Sequence, residues 1–380
     1  MRVFLSAGEP SGDLHAASLA HHLRELEPEI ELMGFGGPKA AAAGVALHYE
    51  LANLAVMGFS RVIKHLPQFF KIARQAEVFF RREKPDALVV IDYPGFHFEL
   101  AKRAHRAGIP VYYFVPPQLW AWRGGRVKKI HRWFRSVLTA LPFEDEWYRS
   151  RGVNTHYVGH PYFDELQEQA VDGPWVAEQR SRGGPIVALL PGSRTQEVIS
   201  NYPLMLQAAE RIRAAIPGVR FLTASFRNSQ ARIAREKLEG TGLPVEVHVG
   251  RVPEILEAAD VVLAVSGSVG LELMYRLKPS VIVYRVSRLL GTVVGPLLTV
   301  KYMSLVNLLV DRVIYPEFPT MKDNPDELAE PLIRWLRDPA AHRATVEELR
   351  ALRATIAVPG AAGRAAEFLL DDLKTLHTVR

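Results

Sequence analysis

Short apolar runs, each closed by a turn residue and followed by a stretch of helical spacing, recur along this chain and leave it few folds to adopt. In the first half the runs are "RVFLSA", "IELMGFGG", "ALVVID" (87–92), "IPVYYFV" (109–115) and "SVLTAL" (136–141), with "DLHAASLAHHLREL" and "ELAKRAHRAG" among the helical stretches. In the second half they are "IVALL", "VRFLTAS", "VEVHV", "DVVLAVSG" and "SVIVYRV". A strand that is apolar at nearly every position is buried on both faces, as in a parallel sheet covered by helices on both sides. Strands alternating with helices through right-handed crossovers give that sheet. The rhythm lapses between Gly159 and Gly184, where "DGPW" and "SRGGP" read as a turn-rich linker. The fold class is therefore α/β, with two doubly wound Rossmann-like domains facing a cleft at the carboxyl ends of their strands. The first domain is expected over 1–165 and the second over 185–338. Helices over 339–380 are expected to pack back toward the first domain.

Composition removes several chemistries. The 380 residues suit two domains, and 48% hydrophobic content sustains their cores. There is no cysteine, which excludes disulfides, thiolate nucleophiles and cysteine zinc sites. The net charge of +6 points to an anionic partner: nucleic acid, anionic lipid or a phosphorylated substrate. The start "MRVFLSAGEP" lacks the apolar core of a signal peptide. The longest apolar stretch, "LLGTVVGPLLTV" (289–300), is interrupted by Gly291, Gly295 and Pro296 and falls short of the ~20 residues a spanning helix needs.

Two turns in the second half suit an anion. "PGSR" follows the strand "IVALL" and opens a helix, so Gly192 and Ser193 offer backbone amides and Arg194 a guanidinium. "VSGSVGLELM" (265–274) puts Ser266, Gly267 and Ser268 at the end of another strand, with Glu272 one turn into the next helix. Amides for phosphate and a carboxylate for a ribose diol suit a nucleotide sugar. Gly and Ser also serve turn geometry alone, and that alternative stays open for each loop. Neither loop matches the P-loop or the dinucleotide fingerprint, which disfavours ATP hydrolysis and NAD chemistry.

The first half supplies candidate acids and bases. In "AGEPSGD" (7–13), Ser11 or Asp13 can cap the following helix, whereas Glu9 is available to the cleft. In "VVIDYPGFHF" (89–98), Asp92 ends an apolar strand, where a carboxylate is costly unless it is used or hydrogen-bonded. It can deprotonate a hydroxyl nucleophile, or it can order the "YPGF" turn; His97 is a second candidate. "PPQLWAWRGGRVKKIHRWFR" (116–135) combines Trp120, Arg123 and Arg126 with further cations and no acid. It suits single-stranded nucleic acid, anionic lipid or a phosphorylated acceptor, or it is a solvated basic helix. Over 59–82, Phe59, Val62, Ile63, Leu66, Phe69, Phe70 and Ala73 keep helical spacing beside Arg61, Lys64, Lys71 and Arg74. Pro67 is expected to start a second helix. This pattern fits an interfacial helix, and a core-facing helix shares its period.

Taken in order, "GEPSGD" (8–13), "LAVMGFSRVI" (54–63), "PDALVVIDYPGF" (85–96), "WAWRGGRVKKI" (120–130), "LPFE" (141–144), "VGHP" (158–161), "LLPGSR" (189–194), "SGSVGLE" (266–272) and "SLVNLL" (304–309) resemble the lipid-A-disaccharide synthases. These are glycosyltransferases of the two-domain GT-B type, and the likeness covers nearly the whole chain. It implies transfer of a diacylated glucosamine from its UDP derivative to 2,3-diacylglucosamine 1-phosphate, giving a β(1→6) disaccharide and UDP. It implies Asp92 as base, and Arg194, Ser266, Ser268, Glu272 and Asn307 on the nucleotide side. Acyl chains would lie along Met57, Val62, Ile63, Leu66, Phe69 and Phe70. No cofactor, metal or nucleic acid is expected. The expected location is peripheral, on the cytoplasmic side of an inner membrane, with a homodimer left open. Four departures bear on acceptor and rate. Gly95 and His97 replace the usual Asp and Asn, Val115–Gln118 replaces Val-Ser-Pro-Ser, Val306 replaces Pro, and Pro319-Thr320 replaces Leu-Gln.

Two rivals remain. A UDP-sugar 2-epimerase of similar fold would need no greasy helix, and a nucleic-acid binder leaves Asp92 and Glu272 unexplained.

Overall fold

The computed structural model describes residues 1–52, 59–285, 300–320 and 324–379. The chain divides into two compact units, Met1–Gln167 with Val358–Arg380, and Glu168–Ala357. The first holds β1 (Arg2–Ala7), β2 (Glu31–Phe35), β3 (Ala46–Tyr49), β4 (Ala87–Ile91), β5 (Val111–Phe114), β6 (Ser136–Thr139) and β7 (Thr155–Tyr157) in one sheet, ordered 3-2-1-4-5-6-7. The second holds β8 (Ile186–Leu190), β9 (Arg220–Ser225), β10 (Val245–Val249), β11 (Val261–Val265), β12 (Ser280–Arg285) and β13 (Glu317–Thr320), ordered 10-9-8-11-12-13. All pairings are parallel, with Leu5 opposite Val89 and Leu189 opposite Leu263 at the two reversals of order. Ligands of such sheets bind outside the carboxyl ends of the strands at the reversal. Here these are the ends of β1 and β4, and of β8 and β11.

Alternation along the strands builds the layers. Phe4, Leu88, Val90, Val111 and Tyr113 face a core completed by Ile72, Ala76 and Phe80 of helix Phe59–Glu83. Leu5, Val89, Ile91, Tyr112 and Phe114 face the opposite core, with Leu19 and Leu23 of helix Pro10–Leu26 and Leu369 and Leu373 of helix Ala361–Val379. In the second unit, Leu189, Phe221, Leu263 and Val281 pack with helices Thr195–Ala215 and Pro325–Arg337.

The α/β class and the double winding hold, and several local expectations are corrected. The turn-rich 159–184 segment contains helices Tyr162–Glu168 and Gly173–Ser181, the latter capped by the Asp172 carboxylate on the Trp175 amide at 3.1 Å. Within 339–380, helix Pro339–Ile356 belongs to the second unit and only the last helix to the first. Pro67 lies inside one continuous helix rather than starting a new one. The turns after it bury Phe69, Ile72, Ala73, Ala76 and Phe80, which offsets the one hydrogen bond that proline removes. The edge strands β3 and β7 escape an apolar-run reading because they are short and half exposed. Among the described residues, no helix is long and apolar enough to cross a membrane.

Candidate active site

In the first unit the chain turns sharply as it leaves β4. Asp92 has φ 53° and Tyr93 φ 47°, two consecutive non-glycine residues in the left-handed region. Each costs on the order of 1–2 kcal/mol, so neighbouring contacts must hold them there. The Asp92 carbonyl accepts from His97 Nδ1 at 2.6 Å and from Tyr113 Oη at 2.9 Å. His97 is fully buried, and its Nε2 lies 2.9 Å from Ser6 Oγ on β1. The Tyr93 ring lies on Gly8, where an added Cβ would stand 2.3 Å from it. β5 ends in the same way, with Val115 at φ 54°, a costly conformation for a β-branched residue.

Electrostatics set this candidate site apart. Burial holds the Asp92 carboxyl above its usual range, partly countered by the Tyr93 amide and by His15. Burial pushes His97 down to about 4, so the ring is neutral. Burial and the charge of Glu9 raise the Tyr93 hydroxyl to about 12, and Glu9 directly follows Gly8, on which the Tyr93 ring lies. Asp92 is thus a positioned carboxylate with raised basicity. His97 is corrected from candidate base to internal donor, because both its nitrogens are occupied. Gly95 is exposed with open space around it, so no close approach requires it. Asp13 does not cap its own helix. Its carboxylate accepts from the amides of Gly37, Lys39 and Ala40 at the start of helix Pro38–Ala42.

In the second unit, the loops after β8, β9 and β11 surround a pocket of about 260 Å³. Gly192, Ser193, Arg194, Ser266, Gly267 and Ser268 all line it, so the two anion loops of the sequence meet. Gly192 has φ 117°, and a Cβ there would stand 2.5 Å from Glu197, so only glycine fits. Glu197, missed in the sequence, caps its helix through the Arg194 amide at 3.0 Å and pairs with the Arg194 guanidinium at 2.8 Å. The Arg194 side chain is 80% exposed. Gln230, also missed, is buried and donates to the Ser193 carbonyl at 2.6 Å while accepting from the Phe226 and Arg227 amides. Its signal was present, since it stands at the third position of a helix.

Two nucleotide-side candidates have partners inside the second unit. Glu272 is buried in an ion pair with Arg276 at 3.0 Å and is not part of the pocket wall. Asn307 spends its full amide capacity internally. It donates to the Tyr315 carbonyl and Glu317 and accepts from the Ile314 and Tyr315 amides. Its effect on the pocket is indirect: Glu317 also accepts from the Met303 and Ser304 amides, and the Met303 carbonyl takes the Ser266 hydroxyl at 3.1 Å. Val306 replaces a proline profitably, because its amide donates to Ser304 Oγ.

The greasy and basic segments also separate. Met57 lies outside the described residues. Val62, Ile63 and Leu66 fall on helix Phe59–Glu83, but their side chains lie outside the description. Phe69 is core, 9% exposed and packed on Tyr93 and Phe96, whereas Phe70 is 57% exposed. Trp120 is buried, donating to Glu144 at 3.1 Å, which anchors its loop. The exposed tryptophan is Trp122, with Arg123 stacked 4.0 Å from its ring. Arg126 is half-buried, 5.9 Å from the Phe98 ring. Arg135, unpaired in its own stretch, grips Asp372 with two hydrogen bonds.

Comparison with known proteins gives these two candidate sites a context. A family model described as lipid-A-disaccharide synthetase matches residues 3–355. A lipid-A-disaccharide synthase of Myxococcus xanthus is 35% identical over 375 residues, covering 98% of this chain and 97% of the relative. One of Thiobacillus denitrificans is 39% identical over 341 residues, covering 90% and 91%. Among solved structures, a Staphylococcus aureus MnaA–UDP co-structure superposes with a TM-score of 0.67 at 13% identity, over 100% of this chain and 97% of that one. Acinetobacter baumannii MurG does so at 0.57 and 14%, over 97% and 99%. Likeness at such identity shows the fold alone.

Proposed function

The chain belongs to the lipid-A-disaccharide synthase family of glycosyltransferases, and from that premise we propose how its two candidate sites divide the reaction. The family's reaction condenses UDP-2,3-diacylglucosamine with 2,3-diacylglucosamine 1-phosphate, giving the disaccharide 1-phosphate and UDP. The second unit takes the donor. Its diphosphate sits in the pocket of Gly192, Ser193 and Ser266–Ser268, with Arg194 turning from Glu197 to the phosphates. The first unit takes the acceptor. Asp92 accepts the proton of the attacking hydroxyl as the new bond to the sugar C1 forms. The bond from C1 to the phosphate oxygen breaks, and UDP leaves with its electron pair. Glu9 is the second carboxylate on that rim. The observation that carries this reading is the match of position and chemistry. A partly buried carboxylate with a raised pKa stands at one strand-order reversal, and a glycine- and serine-walled pocket with an exposed cation stands at the other.

The acyl chains need an apolar surface outside both candidate sites. Phe70 and Val78 stand 57% and 62% exposed on one helix with Lys71 and Arg74, the mixture an anionic lipid surface receives. We place the protein there as a peripheral visitor to the cytoplasmic face of an inner membrane.

The test uses purified protein, detergent micelles, the acylated UDP donor and radiolabelled diacylglucosamine 1-phosphate. Labelled disaccharide and an equal amount of UDP are expected, with UDP release dependent on acceptor. Epimerised UDP-N-acetylglucosamine, with no acceptor-dependent UDP, would overturn the reading in favour of the epimerase rival.

A further inference from the structure

We propose that His97 is a positioning residue for the transfer: through the backbone carbonyl of Asp92 it fixes where the Asp92 carboxylate points. The inference rests on the reading of Asp92 as base. A carbonyl can only accept, so the 2.6 Å contact requires the proton on His97 Nδ1. Nε2 then has only a lone pair, and the Ser6 hydroxyl at 2.9 Å must donate to it. Tyr113 supplies the second donor to the same carbonyl at 2.9 Å. Both lone pairs of that oxygen are thereby filled by buried groups from β5 and from helix Pro94–Arg106, with Ser6 of β1 behind the ring. The peptide plane after Asp92 is held from two directions. With it is held the left-handed backbone at φ 53°, and so the direction of the Cα–Cβ bond. Glycine, the residue that adopts this conformation freely, has no carboxylate to offer. A left-handed aspartate therefore needs an external brace, and burial keeps the His97 ring neutral and single in its tautomer.

His97→Asn keeps an amide that can donate to the carbonyl, whereas His97→Ala keeps none. Tyr113→Phe removes the second donor and leaves the ring. Each is made in the natural chain and in Asp92→Asn, and turnover, KM for both substrates, UDP affinity and melting temperature are measured. His97→Ala is expected to lower kcat about 10- to 100-fold, the scale of a misplaced group. UDP affinity should stay within about twofold, which a general loosening of the fold would not spare. His97→Asn should recover kcat to within about threefold. In the Asp92→Asn background, His97→Ala should cost nothing further, because groups acting through one another are not additive. Two results would overturn the proposal: a folded His97→Ala with kcat within about threefold while Asp92→Asn is impaired, or an equal loss in both backgrounds. An unimpaired Asp92→Asn instead removes the premise, and the proposal falls with it. Should His97→Ala not fold, Tyr113→Phe carries the same cycle, with an expected loss of roughly three- to tenfold that vanishes in Asp92→Asn.

Discussion

The two units share a strand order and differ in how they finish the strands at its reversal. In the first, β4 runs into two left-handed non-glycine residues, and the backbone carbonyl of Asp92 is held by His97 and Tyr113, with Ser6 behind the His97 ring. In the second, β8 runs into a left-handed glycine, and the Arg194 guanidinium is solvent-exposed, paired with a glutamate three residues on. On the proposed division of labour, the contrast follows from the two tasks. Proton transfer needs one group in one direction, so the backbone is braced around it. Anion binding needs several donors and room for the ligand, and a flexible guanidinium can complete it on arrival.

The sharpest test of that contrast crosses the two units. Asp92→Asn should lower turnover ~10²–10⁴-fold, the range for loss of a positioned base, with calorimetric UDP affinity unchanged. Because burial raises the carboxyl, the acid limb of kcat/KM should lie above pH 3.8, the value of an ordinary aspartate, and vanish in the variant. The sign for stability is opposite. A raised carboxyl loses stabilising protonation as pH climbs through its value, so the variant should melt no lower than the natural chain at pH 8. Loss of UDP affinity instead would break the division of labour.

Arg194→Ala should show the reverse profile. One charge-assisted contact to a diphosphate is worth about 1.5–3 kcal/mol, so UDP affinity should fall roughly 10- to 150-fold. Turnover at saturating donor should stay near normal, and melting should be unchanged for a side chain 80% exposed. Unchanged UDP binding by calorimetry would leave Arg194 as a helix-cap partner of Glu197.

The smallest effect is expected at Phe70. Phe70→Asp should leave stability within about 0.5 kcal/mol, as for other exposed positions. Sedimentation with anionic vesicles should nonetheless decrease. Vesicle binding equal to that of the natural chain would confine the acyl surface to other residues of the helix.

Much of the fold was legible in local pattern. The apolar runs marked the interior strands, and the glycine, serine and aspartate turns marked where those strands end. Both follow from forces acting over one to four residues: burial of a periodic face and turn chemistry. The same forces made Gly192, Ser193, Arg194, Ser266 and Asp92 stand out. Short polar edges such as β7 carry too weak a pattern to be seen this way.

The roles of individual polar and aromatic side chains were decided elsewhere. Phe69 and Phe70 are adjacent in one helix, and only the packing of Tyr93 and Phe96 makes the first core and leaves the second on the surface. Asn307 looked like a ligand residue until the 314–317 segment was seen to use its whole amide. His97 looked like a base until Ser6, 91 residues away, and the Asp92 carbonyl filled its ring. Asp372, 260 residues from Tyr112, neutralises an arginine that seemed unpaired in its own stretch. A buried polar group must find its partner, but the chain's topology chooses which one, and no local spacing records that choice.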